Sequence, residues 1–241
     1  MSNKIYSHLA LIYSHLMRSI DYDSWADYLV KISGELKTRN ISALEIASGT
    51  GSLAKRLKNI FDFYVATDFS FSMLSQFEDE KIFRVVCDMT SLPFKKKFNF
   101  VFSTFDSINY LTSKEKILRL LKSVDSCLTD DGIFTFDVSL ENNSIRYQRY
   151  LNRKGDYNGI HYKQISRYDK EKRIHYNIFD ITLKDGNKVR EIHRQKIYEF
   201  DEYFKIIEKS NFYVMNCYEA FTFNNANPDS ERAQFILKKK K

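Results

Sequence analysis

Glu45, Gly49, Gly51, Asp68 and Asp88 are the residues whose types and spacing suggest chemistry. Leu44-Glu-Ile-Ala-Ser-Gly-Thr-Gly-Ser-Leu53 reads as a strand running into a glycine turn and then a helix. Glycines let the backbone pass close to a ligand, and amides at the following helix N-terminus favour an anionic group such as a carboxylate or phosphate. Asp68 follows Gly51 by 17 residues, at the end of a second strand, where a carboxylate can accept hydrogen bonds from two ribose hydroxyls. Asp88 closes a third strand, within reach of an adenine edge in the same crevice. Gly49-Thr-Gly51-Ser-Leu-Ala54 also fits the dinucleotide fingerprint G-x-G-x-x-A. An acid at Glu45, however, opposes a pyrophosphate and suits an ammonium. Three acids ending three successive strands therefore predict a site for a cation.

Those residues need a sheet to hold them. Trp25, Tyr28, Leu29, Ile32 and Leu36 recur at helical spacing behind Asp21 and Asp23, which can cap the first turn, so a helix that packs on a sheet precedes the first strand. Strand-like and helical runs then alternate: 43–47 and 53–58, 63–67 and 70–77, 83–87, 98–105 and 114–128, and 133–138. This alternation is the pattern of a parallel sheet with helices on both faces. Thr112-Ser-Lys-Glu115 has capping-box spacing at the start of the long helix. From about 158 to 199, three runs rich in Tyr, Ile, Thr and Val, separated by 169–172 and by Asp185-Gly186, predict an antiparallel meander. Asp201 is placed to cap a helix through Ser210, and strands follow at 213–221 and 233–237.

S-adenosylmethionine carries a sulfonium, an ammonium, a ribose and one carboxylate, and so matches every part of the crevice. Glu45-Ile-Ala-Ser-Gly-Thr-Gly51 resembles the first motif of the class I S-adenosylmethionine-dependent methyltransferases, often D-x-A-C-G-T-G. Val65-Ala-Thr-Asp68-Phe-Ser-Phe-Ser-Met73-Leu resembles the second motif and Cys87-Asp88-Met89 the third. Phe98 through Phe102, with Asp106-Ser-Ile-Asn109-Tyr110, resembles the fourth, and Asp130-Asp-Gly132 through Asp137 the fifth strand and its lead-in. The closest subgroup has a tyrosine-bearing N-terminal helix and an antiparallel sheet after the fifth strand; it includes small-molecule N-methyltransferases acting on amino sugars or glycine. The resemblance implies a doubly wound α/β fold with a seven-stranded, mostly parallel, Rossmann-like sheet over residues 1–145 and 200–241. It implies an antiparallel β lid over 146–199.

The resemblance also assigns cofactor roles. The first motif supplies Glu45, Ala47, Ser48, Gly49 and Gly51; the second, Asp68, Phe69 and Met73; the third, Asp88 and Met89; the fourth strand's end, Thr104 and Phe105. Tyr6 and Tyr13 are candidates to reach the methionine end. Asp106, Asn109 and Tyr13 are the catalytic candidates, with a turn role equally open for Asp106 and Asn109. Ala47 stands where the broader motif has a glycine, Ser48 where a Cys is common, and Ser14 where an Asp is common. His161, His175 and His193 all fall in the antiparallel segment, where one can serve an amine acceptor as base. No pair has metal-ligand spacing, so no metal is expected.

Composition narrows the class. The 241 residues, with 7 Gly and 2 Pro, suit one compact unit. Cys87, Cys127 and Cys217 form no C-x-x-C pair, so neither a disulfide framework nor a zinc site is suggested and a reducing cytoplasm fits. The apolar patch at 9–13 is too short for a membrane helix. Of the net charge of +7, Lys238–Lys241 carry +4 and read as a solubilising end. Residues 150–199 hold 12 Lys and Arg against 7 Asp and Glu, a basic segment that can face an acidic or phosphorylated acceptor. The expected activity is methyl transfer to a small molecule, an amine or hydroxyl, by a monomer or homodimer. RNA or protein methylation, a non-catalytic S-adenosylmethionine-binding protein and, last, an NAD-dependent dehydrogenase are the alternatives. No appended nucleic-acid module is visible.

Overall fold

The computed structural model describes residues 5–77 and 79–241. In chain order its elements are α1 (Ala10–Leu16), α2 (Tyr22–Ser33), β1 (Ser42–Ile46), α3 (Ala54–Leu57), β2 (Phe63–Asp68), α4 (Phe71–Leu74), β3 (Phe83–Val86), β4 (Phe98–Ser103), a 3-10 turn (Ser107–Tyr110), α5 (Lys114–Cys127) and β5 (Leu128–Ser139). They continue with α6 (Glu141–Tyr150), β6 (Arg153–Tyr157), β7 (Ile160–Asp169), β8 (Ile174–Thr182), β9 (Lys188–Lys196), α7 (Phe200–Glu208), β10 (Phe212–Glu219) and β11 (Arg232–Lys239).

Seven strands form one sheet in the order β10-β11-β5-β4-β1-β2-β3. All run parallel except β11, which is antiparallel to both its neighbours. The doubly wound, mostly parallel sheet expected from the alternation is therefore present. Its strands are apolar on both faces because both faces are covered. Leu44, Ile46, Val101, Phe134 and Phe136 pack towards α5 and α7. Ala43, Tyr64, Phe100 and Phe102 pack towards Trp25, Tyr28, Leu29 and Ile32 of α2. β1 pairs with β2 on one side and β4 on the other, so the winding reverses at β1 and a crevice opens at the carboxyl ends of these strands.

β6, β7, β8 and β9 form a second, wholly antiparallel sheet. One strand more is present than the three runs predicted, because Arg153-Lys-Gly-Asp-Tyr157 has no apolar alternation to announce it. The buried face of this sheet changes character along its length. Ile160, Tyr162, Phe179 and Ile181 receive Leu9, Ile12 and Leu16 of α1, each such buried aliphatic contributing roughly 1.5–3 kcal/mol. Gln164, Ser166, His175, Glu191, His193 and Gln195 make the rest of that face polar, yet buried. A polar interior needs partners, and of these side chains Gln164, His175 and Gln195 turn to the crevice.

Several local expectations shift. The long helix is capped by Ser113, not Thr112: its hydroxyl accepts the Lys116 N–H at 3.4 Å. The cap of α7 is Glu199, two residues before the expected Asp201, and its N–H donates to the Glu202 carboxylate at 2.9 Å. α6 was not anticipated, since only Ser144 of its ten residues is buried and no apolar stripe marks it. The basic terminus is no free end. Lys238 and Lys239 pair with β10, the Lys239 ammonium lies 3.1 Å from Asp125, and the Lys240 ammonium caps the carbonyls of Glu208 and Ser210 at 2.7 and 2.8 Å. Among the described residues no helix is long and apolar enough to cross a membrane, and no group of three or more His, Cys, Asp or Glu is placed to hold a metal ion.

Candidate active site

The turn after β1 makes the first wall. Ala47, Gly49 and Gly51 all have positive φ, at 57°, 58° and 71°. Ala47 thus adopts the backbone that a glycine takes in the broader motif, a left-handed conformation costing a non-glycine residue roughly 1–2 kcal/mol. The Asp68 carboxylate fastens the turn: it accepts the Gly49 N–H at 2.9 Å and the Ser70 N–H at 2.8 Å. Burial raises its pKa and these main-chain donors oppose the rise. The helix beyond the turn is a single turn, α3.

A cavity of about 280 Å³ lies against this turn. Its lining includes the predicted Tyr6, Tyr13, Glu45, Ala47, Ser48, Gly49, Asp68, Phe69, Met73, Asp88, Met89, Thr104 and Phe105. Gly51 is the exception. A Cβ there would stand 2.6 Å from the Phe77 ring, so this glycine answers to packing and not to the cavity. A Cβ on Gly49 would enter the cradle between the Met73 methyl, at 3.3 Å, and the Tyr13 ring, at 3.9 Å. The Ser48 hydroxyl, buried in the same wall, has no hydrogen-bond partner among the described residues. An orphaned hydroxyl beside a glycine cradle suits a polar ligand held close to backbone, and S-adenosylmethionine fits it.

The three acids do not form a standing anionic crevice. Glu45 is 2% exposed and accepts the Tyr64 hydroxyl at 2.7 Å. Burial, aided by nearby Asp68 and opposed by Tyr64, pushes its pKa up to about 8, so it is protonated at neutral pH in the free protein. Asp88 lies two residues beyond β3, is exposed, and spends one oxygen on the Thr90 N–H and hydroxyl, both at 2.8 Å.

A second cavity, of about 750 Å³, lies between the main sheet's carboxyl edge, α1, α6 and the polar face of the second sheet. Tyr6, Tyr13, Phe105 and Tyr110 line both cavities, so they mark where the two meet. Asp106 lines only the larger one, in a left-handed conformation with φ of 49°. Its carboxylate is taken by Arg232 at 2.9 Å and by the Gln195 amide at 2.5 Å. Arg232 also contacts the fully buried Asp137, whose pKa burial raises to about 6 against the pull of Arg232.

Asn109 lines neither cavity. It is fully buried; its amide donates to the Ser139 and Lys196 carbonyls at 3.2 and 2.8 Å, and its oxygen accepts the Ser139 N–H at 3.0 Å. A side chain so consumed is a joint between β5 and β9, not a catalyst. The 3-10 turn presents the next residue, Tyr110, to the cavities instead. From Tyr110 a buried chain of hydrogen bonds runs outward. Its hydroxyl meets the Tyr6 hydroxyl at 2.6 Å and His193 Nδ1 at 3.3 Å, and His193 Nε2 meets Glu191 at 3.2 Å. Glu191 in turn accepts the N–H groups of Tyr6, His8 and Leu9 at 2.7, 2.7 and 3.1 Å. Sequence reading named His193 only as one of three histidines and passed over Tyr110, although it stands in the fourth motif. His161 is exposed, with Asp156 2.6 Å away, and lines neither cavity. His175 lines the larger cavity and contacts the Ser166 hydroxyl at 2.7 Å.

Residues 43–132 match the family described as methyltransferase domain. A candidate methyltransferase of Bacillus subtilis is 27% identical over 251 residues, covering 98% of this chain and 98% of its own. A crystal structure of an S-adenosylmethionine-dependent methyltransferase from Clostridium acetobutylicum superposes with a TM-score of 0.79 at 22% identity, covering 99% of this chain and 100% of that one. The sugar N-methyltransferase from Streptoalloteichus superposes with a TM-score of 0.74 at 14% identity, covering 95% of this chain and 93% of that one.

Proposed function

We propose that the chain is a class I S-adenosylmethionine-dependent methyltransferase that methylates a small-molecule amine or hydroxyl held in the 750 Å³ cavity. The observation that carries this reading is the shared wall of Tyr6, Tyr13, Phe105 and Tyr110 between the two cavities. The volume suits a small ligand, and the sheet of β6 to β9 acts as its lid. A sugar N-methyltransferase among the structural relatives supports an amine acceptor.

In the smaller cavity, Asp68 holds the ribose, the Gly49 turn and Ser48 the carboxylate end, and Glu45 the ammonium. Bound there, S-adenosylmethionine supplies an electrophilic methyl on a sulfonium. The protein's work is then to hold the acceptor atom in line with that methyl and to exclude water. Tyr13 and Phe105, which line both cavities, would offer aromatic surface to the cation. Asp106, locked to Arg232 and Gln195, positions the loop and does not act as a base. The acceptor's proton passes instead to the Tyr110 oxygen as the Tyr110 proton moves to His193 Nδ1, leaving an imidazolium against Glu191.

Glu45 gives this arrangement a proton signature. An ammonium placed beside it favours the carboxylate, so S-adenosylmethionine binding at pH 7 releases a proton from a group whose free-protein pKa is about 8. Calorimetric titrations in Pipes and in Tris should give binding enthalpies that differ by the buffers' ionisation heats, and in Glu45→Gln the difference should vanish. Equal enthalpies in wild type would place Glu45 away from the ammonium. The reaction itself is tested by incubating the protein with S-adenosylmethionine and small amines, hydroxyl compounds, total RNA or unfolded protein, following S-adenosylhomocysteine formation and product mass. Turnover of a small amine or hydroxyl compound is the expected result. Transfer to RNA or protein alone would overturn the small-molecule assignment.

A further inference from the structure

The charges around the larger cavity are almost all accounted for. Among the described lining residues, Asp21 caps α2 by accepting the Ser24 N–H at 3.0 Å. Asp106 is paired with Arg232, and Glu231 with Arg146 at 2.6 Å. Glu219 is exposed to solvent. Arg232 is answered by two carboxylates. Arg153, at the start of β6, is different: it lines the cavity, is half-buried, and no ion pair among the described residues takes its charge.

Its two hydrogen bonds go to neutral oxygens. Nε donates to Gln164 Oε1 at 2.8 Å and Nη1 to the Leu16 carbonyl at 3.1 Å. Gln164 is itself fixed, donating to Asn177 Oδ1 at 3.1 Å, and the β6–β7 register sets Arg153 directly across from Gln164. A guanidinium oriented by an amide ladder keeps its remaining N–H groups for a ligand, and a fork of parallel N–H groups matches the two oxygens of a carboxylate or phosphate. Burial with only neutral partners is costly for a cation. Burial lowers the Arg153 pKa, opposed by Tyr162 and aided by the neighbouring Arg18, and no carboxylate offsets it.

We propose that Arg153 is the anchor for an anionic group on the methyl acceptor, a carboxylate or a phosphate. The inference rests on the larger cavity being the acceptor site, and it deepens that reading by giving the acceptor a chemical class.

Anion binding tests this without knowledge of the acceptor. The protein is saturated with S-adenosylhomocysteine, which fills the smaller cavity, and titrated calorimetrically with inorganic phosphate and, separately, with acetate. Saturable binding of at least one is expected, and whichever binds more tightly tells phosphate from carboxylate. Arg153→Gln should weaken that binding at least tenfold. Arg153→Lys, which keeps the charge but not the fork, should weaken it by a smaller factor, and Arg167→Gln on the exposed edge of β7 should leave it unchanged. Absence of saturable binding of either anion to the wild type, or full retention in Arg153→Gln, overturns the proposal. Methyl transfer to a neutral small molecule with no anion binding would sink this inference alone. Transfer confined to RNA or protein would sink the acceptor reading beneath it.

Discussion

Replacing Asp68 by alanine is expected to weaken S-adenosylmethionine binding by at least tenfold, because one carboxylate serves two purposes. In the free protein it ties the Gly49 and Ser70 N–H groups, at 2.9 and 2.8 Å, and so fixes the turn. In the proposed complex the same group also accepts from the ribose. Hydrogen bonds to a charged acceptor contribute about 1.5–3 kcal/mol each, and every 1.4 kcal/mol is about tenfold in affinity. Asp68→Asn keeps one acceptor oxygen and should lose less. A thermodynamic cycle separates the two purposes. If ribose contact dominates, S-adenosylhomocysteine lacking both ribose hydroxyls should bind wild type and Asp68→Ala with nearly equal affinity. If the turn dominates, the mutation should weaken that analogue as much as the parent ligand. Unchanged affinity for S-adenosylmethionine itself would remove Asp68 from the site.

The parts of the site that sequence made legible are those built from contiguous residues at the ends of parallel strands. Residues 44–53 announce a strand, a turn and a helix together, and Asp68 lies where the next strand stops. Each side chain's direction there follows from the strand that ends at it. What sequence hid depends on distant neighbours or on small changes of register. The choice between Asn109 and Tyr110 is made by a 3-10 turn, and a one-residue change of direction sends one side chain into the core and the other to the cavities. Arg232 reaches Asp106 from a strand more than a hundred residues later, with no local pattern to mark it. The Glu45 carboxyl could be placed from its motif, but its protonation could not, since that is set by burial and by Tyr64 across the strand. The lysine terminus misled for a related reason. A charge run looks the same whether it is solvated or, as with Lys239 and Lys240, laid along a sheet edge and a helix end.

The hydrogen-bond chain behind Tyr110 yields the other large effect. Glu191→Ala is expected to cost at least tenfold in S-adenosylmethionine affinity, although residue 191 lines neither cavity. Its carboxylate is the fastening for the segment that carries Tyr6, through three main-chain N–H groups, and Tyr6 sits in a left-handed conformation with φ of 62° that this fastening sustains. Without it the three main-chain donors, of which Leu9 is fully buried, and His193 lose their acceptor, at about 1–3 kcal/mol per group left orphaned in the interior. The segment can regain water only by lifting off, and that opens the cavity Tyr6 helps to close. Local opening should therefore appear as faster hydrogen exchange at residues 6–9 and weaker cofactor binding, with a smaller change in the main unfolding transition. The dependence on pH has a defined sign. Burial pushes the Glu191 carboxyl up, but His193 and the main-chain donors outweigh it and hold the pKa below the ordinary value of 4.5. Its contribution is thus fully present above that value and is lost as pH falls through the lowered one. Glu191→Gln, which offers one acceptor oxygen and no charge, should keep part of the affinity but be unable to stabilise an imidazolium at His193, so any methyl transfer it supports should shift its pH profile. Wild-type affinity and unaltered exchange in Glu191→Ala would show that the segment is held by its apolar packing on β7 and β8 alone.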